Sequence, residues 1–136
     1  MMLRQPAAWR SRFLTLNSAV ALAVGSFAGL LPRALLDSKG VVAPSAAVEL
    51  WVREVGVLIF ALGALLFLVR KHPSSRTLRA VLIGNALVHL GLLPLELVAY
   101  HLQVITRMSG VAPNSVLHGL LATGSLFFAS RGDEGA

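Results

Sequence analysis

Apolar positions follow one another in four long stretches, and the polar positions gather in the short connections between them. Phe13 to Leu31 is a run of 19 uncharged residues, and 46–69 is a run of 24 interrupted by Glu49, Arg53 and Glu54. Residues 80–106 form a run of 27 with Glu96 as its one charge, and 114–130 form a run of 17. A helix needs about 20 residues to cross the hydrocarbon core of a bilayer, where its backbone finds no other hydrogen-bond partner. The pattern therefore predicts an all-α fold, an integral membrane four-helix bundle, as a single transmembrane domain over residues 1–136. Pro32, Pro44, Pro73 and Pro113 stand at or beyond the ends of the runs. Pro94 lies inside the third, where it predicts a kink and a freed carbonyl at Leu90.

Composition narrows the class further. Hydrophobic residues make up 56% of the 136 and charged residues only 13%, against about 25% charged in soluble domains. An ordinary soluble enzyme and a disordered chain are both excluded on these figures. The chain has no cysteine, which removes disulfides, thiolate metal sites and cysteine nucleophiles.

The net charge is +6, but the basic residues lie between apolar runs rather than in one patch. That spacing points to a lipid bilayer and away from nucleic acid. Arg4, Arg10 and Arg12 precede the first run, and Arg70, Lys71, Arg76 and Arg79 fill the connection between the second and third. Arg33, Lys39 and Arg107 are the basic residues of the opposite connections. This asymmetry predicts a multi-pass protein of a bacterial inner membrane with both termini cytoplasmic. Ala21-Leu22-Ala23 mimics a signal-peptide cleavage site, but the apolar run continues to Leu31, as an uncleaved helix would.

Two short patterns recur. Gly29-Leu30-Leu31-Pro32 returns as Gly91-Leu92-Leu93-Pro94, and Val42-Ala43-Pro44-Ser45 returns as Val111-Ala112-Pro113-Asn114. Two tandem helical hairpins of the same orientation would produce this arrangement. Chance recurrence among common leucines, glycines and prolines would produce it too. Under a true duplication Glu49 and His118 are equivalent positions.

Polar residues inside the runs carry the candidate chemistry, since a charge in lipid costs at least about 2.5–3.5 kcal/mol and so faces protein or water. On the third run Asn85, His89, Glu96, Tyr100, Gln103 and Arg107 share an arc of about 60° at helical spacing, with His101 off the stripe. On the second, Glu49, Arg53, Gly56, Phe60 and Gly63 form one face, whose glycines permit close approach of another helix. The fourth offers Asn114, His118, Ala122 and Ser125, and the first offers Asn17, Ala21 and Ala28. Counting depth from the ends of the runs puts Arg53 and Glu96 within reach of an ion pair and His89 well below His118. The expected site is a polar intramembrane cluster of Glu49, Arg53, Asn85, His89, Glu96, Tyr100 and His118.

Several functions fit such a cluster. It can be structural, holding helices together through hydrogen bonds and one ion pair. It can bind a quinone or a lipid headgroup, carry protons through Glu96 and His89, or ligate a tetrapyrrole through His89, the best candidate for a metal. Different depths for His89 and His118 argue against a bis-histidine haem. Paired Glu-x-x-His motifs for a di-metal centre, a nucleophile elbow and a glycine-rich phosphate loop are all missing from the sequence. The leading expectation is a non-enzymatic accessory or assembly subunit with a polar intramembrane pocket and no cofactor, whose partners are the bilayer and other membrane subunits or further copies of itself. The alternative is a redox-linked ligand-binding subunit that holds a quinone, haem or other tetrapyrrole.

Over residues 15–130 the chain resembles the small four-helix bacterial membrane proteins of the broad DoxX-like group. The resemblance rests on the end of the first run (Gly29 to Pro32), the start of the second (Glu49, Arg53, Glu54, Gly56, Gly63) and the basic connection from Arg70 to Arg79. It implies a four-helix membrane fold. It attaches no reaction to the more distinctive stretches Asn85 to Pro94 and Pro113 to His118, although some members of such groups accompany quinone-linked oxidoreductases.

Overall fold

The computed structural model describes residues 5–131; Arg4, counted above among the N-terminal basic residues, lies outside them. Among these residues the fold is all-helical: α1 (Gln5–Leu30), α2 (Pro32–Ser38), α3 (Ala46–Val69), α4 (Arg76–His101) and α5 (Met108–Ser130). By length and composition α1, α3 and α4 can each cross a membrane. The expected boundaries of the second run match α3. Those of the last two runs do not. Helix α4 stops at His101, and the chain then turns through Gln103 at φ 58°. Helix α5 begins at Met108, six residues before the apolar run, and carries Pro113 inside it. Helix α4 likewise runs on through Pro94.

Local chemistry explains several ends. Ser45 caps α3 by accepting from the Val48 N–H, and Ser75 caps α4 by accepting from the Leu78 N–H. Leu31, at φ −127°, breaks the first helix, and Pro32 opens α2 at the position where its missing N–H costs nothing. The repeated tetrapeptides accordingly sit in unlike settings. Pro32 starts a helix whereas Pro94 is inside one, and Pro44 lies in a connection whereas Pro113 is helical.

The helices associate as two pairs, α1 with α3 and α4 with α5. In the first pair glycine sets the spacing. A Cβ on Gly25 would lie 2.5 Å from the Phe60 backbone nitrogen, and one on Gly56 would lie 2.5 Å from that of Gly29. Only small residues permit that approach. Ser18 adds a hydrogen bond across it, donating to the Gly63 carbonyl at 2.7 Å.

The two pairs meet at both ends. At one end Leu14, Leu66, Leu78, Leu82 and Ala129 form a buried apolar cluster drawn from all four long helices, with Phe13 stacked near Phe128 at 5.3 Å between ring centres. Beyond it Arg10 donates to Ser74 Oγ and the His72 carbonyl, tying the start of α1 to the α3–α4 connection. At the other end the α2–α3 and α4–α5 connections dock. Thr106 donates through Oγ1 to the Gly40 carbonyl, and the Lys39 carbonyl accepts from the Thr106 and Arg107 N–H groups. Gly40 has φ 76° and touches Thr106 so closely that no Cβ would fit.

Outward faces are apolar along all four long helices: Leu16 on α1, Leu58 (69% exposed) on α3, Leu87 (64%) on α4 and Leu120 (66%) on α5. A surface of this kind is expected against hydrocarbon rather than water.

Candidate functional site

Where the two helix pairs face each other they leave a cavity of about 60 Å³, between the apolar cluster and the docked connections. Its wall is mostly apolar, with Val20, Val24, Ile59, Leu62, Val88 and Leu92 among the lining residues. Four polar side chains interrupt it: Asn17 from α1, His89 from α4, and Asn114 and His118 from α5.

His89 and His118 are hydrogen-bonded through their Nδ1 atoms at 2.8 Å. The expectation that they lie at different depths is therefore corrected, and the helix ends give the reason. His89 is 12 residues from the end of α4 and His118 is 10 residues into α5, which at 1.5 Å per residue places both about 15–18 Å from the same end. Measuring from the apolar runs, rather than from His101 and Met108, separated two residues that are level.

From this pair a file of hydrogen bonds leads to the docked end. Asn114 Nδ2 lies 3.3 Å from His118 Nε2 and also donates to Glu96 Oε1. Ser115 donates to Glu96 Oε2 at 3.1 Å. Lys39, reaching in from the end of α2, completes the carboxylate's surroundings with Nζ 3.2 Å from Oε1, and it also donates to the Gly110 carbonyl. The Glu96 side chain is only 11% exposed, so each of these contacts replaces water that the carboxylate has lost.

The expected Arg53–Glu96 ion pair is a further correction. Helix α3 packs on α1 rather than α4, and Arg53 donates to the Gly29 carbonyl at 2.7 Å. That carbonyl sits in the last turn of α1, where helical carbonyls lack intrahelical partners and a cation is favoured. Glu49 faces Arg33 at 3.9 Å near the same end. Glu49, Arg53 and Tyr100 do not line the cavity, and neither does Asn85, which donates to Ser125 Oγ at 2.8 Å inside the α4–α5 pair. Of the expected cluster, His89, His118 and Glu96 come together.

Lys39, Asn114, Ser115 and Asn17 complete the site and were not among its expected residues. Spacing alone puts Asn17 and Asn114 on inward helix faces. Lys39 is, in the sequence, only a charge on a connection, and Ser115 is a polar residue at the start of the last apolar run.

Two side chains that line the cavity each carry a buried nitrogen without a hydrogen-bond partner among the described residues, Asn17 Nδ2 and His89 Nε2. Asn17 is 1% exposed and His89 8%. Leaving such a group unsatisfied costs about 1–3 kcal/mol, more than an average interhelical hydrogen bond in a membrane contributes, about 0.6 kcal/mol. No group of three or more His, Asp or Glu residues able to hold a metal ion is present among the described residues. Comparison with known proteins returned no matching family, no matching curated sequence and no matching solved structure.

Proposed function

We propose that the protein is a non-enzymatic, multi-pass membrane protein whose four long helices form one bundle in a bacterial inner membrane, and that it serves as a subunit holding a small ligand in the cavity between its helix pairs. The apolar outer faces support the membrane placement. Trp9 and Trp51 support it too: both are exposed, one near the start of α1 and the other near the opposite end of the bundle, where interfacial aromatic anchors belong. On this reading α5 crosses with α4. Its polar residues Asn114, Ser115 and His118 turn inward, while Val116, Leu120 and Phe127 face lipid. The resemblance to the DoxX-like group agrees with this architecture. The basic ends of α1 and α4 support a cytoplasmic placement of the apolar-cluster end.

The observation that carries the binding role is the pair of unpartnered atoms, Asn17 Nδ2 and His89 Nε2, in one apolar cavity. Arg10 Nε and Asn85 Oδ1 are also buried without partners among the described residues but lie away from the cavity, whereas Asn17 and His89 reach it from opposite helix pairs. A through path for protons is disfavoured, because the buried apolar cluster of Leu14, Leu66, Leu78 and Leu82 lies on the cytoplasmic side of the cavity. A quinone ring or tetrapyrrole does not fit the cavity as shaped. Its volume of about 60 Å³ is well below the roughly 150 Å³ that accommodates benzene in a protein interior.

The test is solvent extraction of the purified protein, compared with Asn17→Leu, which fills the cavity and removes one donor. The proposal expects a small neutral compound, at near-stoichiometric yield, from the parent alone. Equal extracts from both proteins would overturn it.

A further inference from the structure

The hydrogen-bond file fixes which nitrogen of His89 carries a proton, and with it the kind of ligand the cavity accepts. Glu96, paired with Lys39, is an acceptor on both oxygens. The Asn114 group that meets it must therefore be the NH₂, and the second hydrogen of that group is directed at His118 Nε2. An imidazole nitrogen that accepts carries no hydrogen, so the His118 proton sits on Nδ1. There it donates to His89 Nδ1 at 2.8 Å, which must be the accepting lone pair. The proton of His89 is left on Nε2, the atom of this cavity-lining side chain that is buried without a partner. Reversing the chain would turn the Asn114 carbonyl toward the Glu96 carboxylate, two acceptors facing each other.

We infer that the cavity's lining side chains offer two unpartnered donors, His89 Nε2–H and the Asn17 amide NH₂, and that it selects a small neutral carbonyl compound. The inference rests on the binding role proposed above and specifies its chemistry. A carbonyl oxygen brings lone pairs for both donors and no hydrogen of its own to bury. A single water would supply the acceptor but leave most of the apolar wall of Val20, Val24 and Leu92 without contacts. A metal ion needs the lone pair that His89 Nε2 lacks in this tautomer. An anion would find the donors but no free cation, since Lys39 is already paired with Glu96. Glu96, Asn114 and His118 are positioning residues in this scheme; His89 and Asn17 touch the ligand.

The experiment is nitrogen-15 NMR of the full chain, labelled at histidine and embedded in lipid nanodiscs, since ring-nitrogen shifts separate protonated from unprotonated positions. His72 and His101 serve as internal controls. The inference expects His118 Nδ1 and His89 Nε2 to be protonated, and His118 Nε2 and His89 Nδ1 to be bare. Titration with acetone should move the His89 Nε2 signal saturably and leave His101 unmoved, and Asn17→Leu should weaken this response at least tenfold. A bare His89 Nε2 overturns the inference. So does a response of His89 to zinc or to chloride with none to acetone, although the cavity would then still be a binding site. Silence of His89 toward all three probes overturns the binding role as well.

Discussion

His89 and His118, 29 residues apart in the chain, meet Nδ1 to Nδ1 at 2.8 Å, with their ring centres 5.1 Å apart. That contact joins the two helices of the second pair at the level of the cavity. It also connects the charged Lys39–Glu96 end of the polar file to the unpartnered atom inside.

Replacing His118 by alanine removes the partner of His89 Nδ1 and leaves a second buried nitrogen open. The expected loss is about 1–3 kcal/mol of unfolding free energy, measured by denaturant titration in mixed micelles. His101→Ala, at an exposed position off the cavity, should change stability little. Equal effects of the two substitutions would show that the histidine contact contributes nothing.

The Lys39–Glu96 pair makes a sharper case. Lys39→Met leaves a largely buried carboxylate without its cation, a loss of about 3 kcal/mol. Adding Glu96→Gln should recover much of it, because the amide keeps contacts with Asn114 and Ser115 without the charge. Arg53→Met combined with Glu96→Gln should be additive, since Arg53 binds the Gly29 carbonyl instead. Recovery in the Arg53 combination and additivity in the Lys39 combination would reverse the assignment.

How far the sequence carried this picture depends on which physical signal each element left. Helix α3 was legible to the residue, because Ser45 caps it and its apolar run ends where its hydrogen bonds end. Gly56 and Gly63 marked a close helix contact correctly in kind, but nothing in their spacing named α1 as the partner. The ends of α4 and α5 were misjudged because hydrophobicity and helicity part company there. Leu102, Val104 and Ile105 are apolar yet lie past the end of α4, while Ser109, Gly110 and Pro113 are helical despite their propensities. Together those misplaced ends, about three turns, concealed the His89–His118 contact, whereas the Arg53–Glu96 pair followed from like depth alone, which does not say that α3 packs on α1. The stripe on α4 did identify His89 and Glu96. Lys39 lies on no periodic face, and only the fold of the α2–α3 connection brings it to the carboxylate.

Close packing of α1 on α3 predicts a steric penalty with little tolerance. In Gly56→Leu the new Cβ meets the backbone of Gly25, Ala28 and Gly29, and a cost of at least about 1–3 kcal/mol is expected, read as a lowered unfolding midpoint. Gly119→Leu, where a Cβ meets nothing within 4 Å, should behave like the parent.

Orientation can be read directly, because the chain lacks cysteine and single thiols can be placed at will. Val42→Cys, in the exposed α2–α3 connection, should react in intact cells with a thiol reagent that does not cross the inner membrane. Ser74→Cys, beside Arg10 at the opposite end, should react only after lysis. The reverse labelling would place the docked connections in the cytoplasm and invert the proposed topology.

The central claim is that the cavity between the helix pairs is kept open for a ligand, and an experimental density map of the full chain in lipid nanodiscs tests it most directly. The account predicts discrete density, larger than a water, within hydrogen-bonding distance of both Asn17 Nδ2 and His89 Nε2. A collapsed cavity, with those two atoms bonded to other groups of the bundle, would contradict it.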